Sequence, residues 1–415
     1  MIELAVPVSR DGASLPFYRR LNVLWPLTRV IMLALCALYS GMRGDLRYYY
    51  AQAGRSDVMS SMAEYPFPVA LWIMAAARTL PYAGFVALFV VTAIACDAVA
   101  TRLFDRHFGR EAALRWTLYV GLLGPLLYMR FDLYAAFALV LLLVFNDGAA
   151  HSRSRSVLSG LAVAMGSAVK LWPAVFGLGL LGPTRRRVTH MVAAMAGGIA
   201  WVGTTALLAG PQRVTSPLSW QGQRGFEVES LWGAWLGFAR IFGSTPVSLE
   251  KRQGSWEYTG ELANSLMWMV KPTQYVGYVL ALSLLALGWR AGRDERVTTL
   301  ALTMTCVISV LILSSPVLSP QYLIWLIPAL VLVDDARLRL LGAVTLVLTQ
   351  LEFPFLFDGI FSDHTLFALT TRVVILVRNM LLVWLTVRAV MLLVQRARVA
   401  RRPASASNTS PATPA

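Results

Sequence analysis

Residues 82–103 read YAGFVALFVVTAIACDAVATRL, an apolar run with one acid inside it and one base near its far end. As an α-helix it rises about 33 Å, enough to cross the hydrocarbon of a bilayer. Runs of this kind recur at about 22–40, 112–128, 132–147, 188–209, 272–290, 297–314, 319–333, 338–352 and 365–393. The chain of 415 residues is 57% hydrophobic and 14% charged, too little charge to cover a soluble body of that size. The expected fold class is all-α, a polytopic transmembrane helical bundle with about ten to twelve membrane segments.

The formal charge of +15 does not point to nucleic acid. The basic residues sit mostly in short links between apolar runs and in the tail, the distribution that orients a membrane protein with its basic loops inside. Arg10, Arg19 and Arg20 fall on one side with Arg102, Arg106 and Arg110 when the spans alternate. Arg290, Arg293, Arg296, Arg337, Arg339 and the tail from Arg396 to Arg402 join them. Both termini are therefore expected in the cytoplasm of a multi-pass plasma-membrane protein. The stretch 157–182 has Arg153 and Arg155 before it and Arg185, Arg186 and Arg187 after it, so it must enter the membrane and return. Two short helices meeting near Lys170-Leu171-Trp172-Pro173 are expected there, because Pro breaks the helical ladder. The first apolar run reads as a signal anchor. Residues 1–395 are expected to form a single membrane domain, and 396–415, basic and then rich in Ala, Ser and Pro, a disordered cytoplasmic tail.

Alternation leaves 41–81, the Tyr128-to-Asp132 link, the Lys170 turn, 210–271, the 314–320 turn and 353–364 outside the cytoplasm. The segments 41–81 and 210–271 are too long to be simple connectors. Pro66 to Ala77 is apolar but too short to span, and reads as a helix lying at the outer interface. Nearly every unusual polar residue is in these segments. Asp45, in Gly44-Asp45-Leu46-Arg47-Tyr48-Tyr49-Tyr50, sits just after the first span. A partly desolvated carboxylate there suits a general base, and a helix N-cap is the plainer role. Glu64-Tyr65-Pro66 precedes the interfacial helix. Arg130-Phe131-Asp132 joins two spans, and its two charges either pair with one another or serve a site. Lys170, an ammonium in an apolar hairpin, either takes an anion such as a phosphate or snorkels to the interface.

The long segment carries Ser219-Trp220-Gln221-Gly222-Gln223-Arg224-Gly225-Phe226-Glu227-Val228-Glu229-Ser230. Aromatic faces beside Gln, Glu and Arg suit a carbohydrate, and Arg224 could grip a phosphate by a forked contact. Ser319-Pro320-Gln321-Tyr322-Leu323-Ile324-Trp325 opens another span with polar groups at its outer end. Cys36, Cys96 and Cys306 lie inside apolar runs without metal-ligand spacing, and His107, His151, His190 and His364 are scattered. No metal site and no cofactor are expected, and the chain has no phosphate-binding Gly loop or two-His zinc helix.

Taken in order, these motifs resemble glycosyltransferase family 87 over about residues 20–395. The set is the Asp of the first external loop, Tyr65-Pro66, Arg130-Phe131-Asp132, Lys170-Leu171-Trp172-Pro173, Arg224-Gly225-Phe226-Glu227-Val228-Glu229-Ser230 and Ser319-Pro320-Gln321-Tyr322-Leu323-Ile324-Trp325. Here Tyr65-Pro66-Phe67-Pro68 spaces two prolines that members often carry together. The resemblance implies the C-type superfold of actinobacterial membrane transferases, with a polyprenyl-phosphate-sugar donor, a lipid-linked glycan acceptor and surrounding membrane lipids as partners. It implies transfer of mannose, with arabinofuranose the alternative, by an inverting mechanism on the outer face. Asp45 matches the catalytic base. Lys170 and Arg224 match donor-phosphate positions, with Arg130, Tyr65, Glu229, Gln321 and Tyr322 as further substrate-binding candidates. A transporter or lipid-sugar flippase is the competing class, but no internal repeat is visible.

Overall fold

The computed structural model describes residues 20–54, 62–147, 152–179, 183–243, 247–252, 254–292, 297–363 and 365–400. The expected N-terminal Arg10 and Arg19, the loop residues Arg293 and Arg296, His151, His364 and the tail from 401 lie outside the described residues.

The molecule is a helical membrane bundle. Seven helical stretches among the described residues are long and apolar enough to cross a bilayer. They are Leu21–Leu38 (α1), Tyr82–Phe108 (α4), Thr184–Ala209 (α8), Glu261–Ala291, Val297–Ser314 (α13), Ala336–Phe361 and Leu366–Val399 (α16). In the fourth of these, Val270–Ala291 is α12; the sixth begins with α15, Ala336–Gln350. The other expected segments are present as shorter helices: Arg110–Leu123 (α5), Asp132–Phe145 (α6), Arg153–Val169 (α7) and Ile327–Leu332 (α14). Helix α6 is apolar all round, and ten of its 14 residues are buried, so it runs through the middle of the bundle rather than along lipid. Helix α16 continues to Val399, so residues 396–399 belong to the last helix and not to the expected tail.

Proline shortens three of these elements. α5 runs into a 3-10 turn at Gly124–Met129 carrying Pro125, α7 is followed by one at Trp172–Leu178 carrying Pro173, and α14 is preceded by one at Pro320–Leu326. Pro lacks the N–H of the α ladder, and broken backbone at membrane depth survives only where protein or a cavity receives it. The break at Lys170-Leu171-Trp172-Pro173 falls where the sequence places it.

A buried ion pair ties the first helices together. Arg29 of α1 donates from Nε and Nη2 to the two carboxylate oxygens of Asp97 on α4, both at 2.8 Å. Trp116 Nε1 on α5 and Tyr128 Oη donate to the same carboxylate at 2.8 and 2.7 Å, and Arg29 Nη1 reaches the Thr117 carbonyl at 2.9 Å. Every strong valence of the pair is met, which is what a charge inside an apolar bundle requires.

The two long loops are folded. The first holds Gly44–Ala53 (α2) and Phe67–Thr79 (α3), the latter a short helix over the apolar stretch from Pro66 to Ala77. The second holds Pro211–Gln221 (α9), Leu231–Phe242 (α10) and Glu261–Leu266 (α11). It also holds a small antiparallel sheet in the order β1-β3-β2, formed by Phe226–Glu227, Ser255–Thr259 and Ser248–Arg252, which is an addition to the expected all-helical loop. Arg213 of α9 clasps the loops together, donating to the Tyr65 carbonyl at 2.9 Å and the Met62 carbonyl at 3.0 Å.

Candidate active site

The three broken helices and the two folded loops surround a cavity of about 1000 Å³. Asp45, Tyr65, Arg130, Lys170, Arg224, Glu229, Gln321 and Tyr322 all line it, so the structure brings the eight residues singled out in the sequence to one place.

Asp45 lies in the first turn of α2, where the helix dipole favours a carboxylate. It is not the N-cap, a position held by Arg43 without a side-chain hydrogen bond. Arg130 follows the 3-10 turn after α5 and places Nε 2.8 Å from Asp45 Oδ2. The Asp45 side chain keeps 36% of its surface exposed while that of Arg130 keeps 7%. The carboxylate is therefore open to the cavity and the guanidinium is walled in, with Nη1 donating to the Met129 carbonyl at 3.1 Å. Tyr49 Oη reaches Asp45 at 3.5 Å and lies 3.0 Å from Tyr65 Oη, which extends the polar chain to the start of α3. Burial pushes both phenols well above their ordinary pKa, so they stay neutral.

Arg130 and Asp132 do not pair with one another. Asp132, the first residue of α6, instead lies 3.4 Å from Lys170 Nζ and accepts from Trp325 Nε1 at 2.7 Å. Lys170 thus neither stands alone nor snorkels. Its ammonium lies 5.3 Å from the Tyr65 ring and 5.6 Å from the Tyr322 ring. Trp325 is stacked between Tyr322, at 4.2 Å between centroids, and Trp172, at 4.6 Å. Of this three-ring wall only Tyr322 is a sequence candidate for binding substrate; Trp172 and Trp325 had a sequence signal in their places near the proline breaks.

The sheet holds the other side. Arg224 donates from Nε to Glu257 at 3.0 Å and from Nη2 to Ser255, and the Gly225 N–H donates to the second Glu257 oxygen at 3.0 Å. Glu227 accepts from the Leu318 N–H and the Ser319 hydroxyl, both at 2.8 Å, and so fastens β1 to the start of the Pro320 turn. Two residues on, Glu229 is buried and lines the cavity, with Oε1 lacking a hydrogen-bond partner. Arg378 Nη1 of α16 lies 3.9 Å from Glu229 and 3.6 Å from the buried Glu352. Burial first, and the Glu352 carboxylate second, push Glu229 well above the usual carboxylate range. Burial also raises Glu227, against the pull of Arg224. Glu257 gave no sequence signal, since it faces inward from a strand that the sequence does not announce.

The arrangement offers an accessible carboxylate, several cations, stacked aromatic faces and a buried carboxyl, Glu229, one oxygen of which has no hydrogen-bond partner. That set can deprotonate a hydroxyl, hold an anion and stack a sugar. No curated protein and no solved structure matches the chain. Residues 64–316 match the family model described as Glycosyltransferase family 87, a range that takes in Tyr65, Arg130, Lys170, Arg224 and Glu229. With more than half of its length matched and its helices spanning a membrane, the chain belongs to glycosyltransferase family 87 and is a membrane glycosyltransferase.

Proposed function

We propose that the enzyme moves a sugar, mannose before arabinofuranose, from a polyprenyl phosphate to a lipid-linked glycan on the extracytoplasmic face of the plasma membrane. The observation that carries this reading is the convergence of Asp45, Arg130, Lys170 and Arg224 on one cavity floored by membrane helices. Basic residues at the opposite ends of the spans support the orientation, with both termini inside. The membrane body through residue 395 then acts as one catalytic domain.

In this reading Asp45 takes the proton of the acceptor hydroxyl as its oxygen attacks the anomeric carbon. The bond from that carbon to the phosphate oxygen breaks on the opposite side, its electron pair leaves with the phosphate, and the configuration inverts. The leaving group departs as a stabilised anion, so it needs cations rather than a second carboxylic acid. Arg130, Lys170 and Arg224 are the cations assigned to it. Each already faces a carboxylate, so an arriving phosphate displaces or shares those partners instead of meeting bare charge. Glu229, Gln321 and Tyr322 supply hydrogen bonds and a stacking face for the sugar.

The purified protein in lipid vesicles, given polyprenyl-phosphate mannose or arabinofuranose with a lipid-linked glycan, is expected to form a new glycosidic bond. Passage of the donor across the vesicle wall with no new bond would assign the protein to the flippase class instead.

A further inference from the structure

A buried charge cluster lies behind one wall of the cavity. It joins three elements: Glu229, between β1 and α10; Glu352, in the turn Leu351–Leu356 that ends α15; and Arg378, within α16. Arg378 and Glu352 are fully buried, and Glu229 is 3% exposed. Of the three, Glu229 alone lines the cavity. The cluster therefore has a single face toward substrate.

Its mounting is rigid. Arg378 Nη2 donates to the Glu229 carbonyl at 2.6 Å, and Asn379 Nδ2 donates to the Glu229 and Ser230 carbonyls, both at 3.2 Å. The Ser230 hydroxyl accepts from the Gly233 N–H at 2.9 Å and caps α10 directly after Glu229. A Cβ on Gly233 would run into the Glu227 carbonyl, so α10 starts as close to β1 as glycine permits. On the far side the Thr371 hydroxyl of α16 donates to the Leu356 carbonyl at 2.8 Å and holds the Glu352 turn against the same helix.

The two acids lack donors. Arg378 spends Nε and Nη2 on the Asn379 side-chain oxygen and the Glu229 carbonyl. Its Nη1 makes no hydrogen bond and lies 3.9 Å from Glu229 Oε1 and 3.6 Å from Glu352 Oε2. Glu229 Oε1 and both Glu352 oxygens have no hydrogen-bond partner. Besides Arg378, the charged group that acts on the pair is Glu227, a third acid. Two carboxylates with one guanidinium, away from water, would leave a negative charge uncompensated and no donor between the acids. One proton between them removes both faults, because the cluster becomes neutral and the carboxyl groups bond to each other.

That proton has a use at the cavity face. A charged Glu229 would repel the phosphate assigned to Lys170 and Arg224 in the same cavity. A neutral carboxyl does not, and it both donates and accepts, as the hydroxyls of a sugar require.

We propose that Glu352 and Arg378 are positioning residues of the transferase. They keep one proton between Glu352 and Glu229, so that Glu229 meets the sugar as a neutral acid. The inference rests on the functional reading above and adds to it two residues that line no part of the cavity.

The pH dependence of transfer tests this. The protein in lipid vesicles receives polyprenyl-phosphate mannose or arabinofuranose with the lipid-linked glycan, and kcat/KM is followed from about pH 5 to about pH 9. Wild type is expected to lose rate on the alkaline side as the shared proton leaves. In Glu352→Gln one carboxylate balances one guanidinium without a proton. Its alkaline limb is expected to move down by about one pH unit or more, with about a tenfold loss in kcat/KM at neutral pH. The acid limb, which belongs to the base, stays in place. Glu229→Gln holds the neutral form permanently and is expected to show no alkaline limb in the transfer it retains. A wild-type profile without an alkaline limb, or a limb that stays in place in Glu352→Gln whatever the loss of rate, would overturn the proposal and leave the transferase reading intact. Failure of the wild-type protein to transfer either sugar at any pH would overturn the functional reading and the proposal with it.

Discussion

Asp45 Oδ2 stands 2.8 Å from Arg130 Nε, although the whole first loop, α4 and α5 separate the two residues in the chain. A second pair, Lys170 with Asp132 at 3.4 Å, lies across the same cavity. Two of the three cations proposed for the leaving phosphate are thus neutralised by these carboxylates before any substrate arrives. The cost of keeping charge in a membrane-embedded site is met locally, and the substrate's own charge has to compete for it.

Arg130→Gln removes the guanidinium from Asp45 and from the proposed phosphate site together. A drop of about ten- to a hundredfold in kcat/KM is expected. Arg130→Lys should recover only a small part of it, because an ammonium is a single point of contact and lacks the separate Nε and Nη1 by which Arg130 reaches Asp45 and the Met129 carbonyl. Steady-state kinetics of the three proteins check this, and full recovery by Lys would show that only the charge is needed.

Lys170→Gln leaves Asp132 buried with Trp325 as its remaining partner. The donor KM is expected to rise by roughly ten- to a hundredfold, the usual range for one lost charged contact, with kcat falling less. A kcat loss at unchanged KM would place Lys170 at the reacting centre instead.

Glu229 is the residue whose stability effect depends on pH. Its folded pKa is raised by burial and by Glu352, so the folded state holds a proton that the unfolded chain releases near the ordinary carboxylate value. Its stabilising contribution is present below that value and is lost as pH rises through the raised folded pKa. Glu229→Gln removes this liability. Its Tm should equal or exceed that of wild type at neutral pH, with the margin widening from acid to alkaline buffer. A margin that shrinks with rising pH would contradict the assignment.

The Arg29–Asp97 pair is structural, and removing one partner strands a charge. Asp97→Leu or Arg29→Leu alone should cost about 3–5 kcal/mol, and the double Leu variant distinctly less than the sum. Thermal unfolding in lipid nanodiscs reads the difference, and strict additivity would show that the two do not act as a pair.

The bundle was legible because an apolar run of membrane length has few other fates, and Pro173 says where the 157–182 run breaks. The eight cavity residues were legible for a related reason. A polar side chain at the end of a span is conspicuous against its surroundings. Their partners were not. Arg130 and Asp132 are two positions apart at a helix start, where side chains point away from each other, so each found a partner on another element. Arg29 and Asp97 are lone charges in two separate apolar runs, and sequence alone does not say which opposite charge each one meets. The sheet escaped because β1 has two residues and β2 is mostly exposed and charged, which leaves no apolar alternation to read.

Transfer by Asp45→Asn is the most direct measurement. Reconstituted with a polyprenyl-phosphate sugar and acceptor, this variant is expected to fold with an unchanged Tm and to bind donor, yet to lose about a hundred- to ten-thousandfold in kcat. Turnover at the wild-type rate would contradict Asp45 as the base, however closely the other residues gather around it.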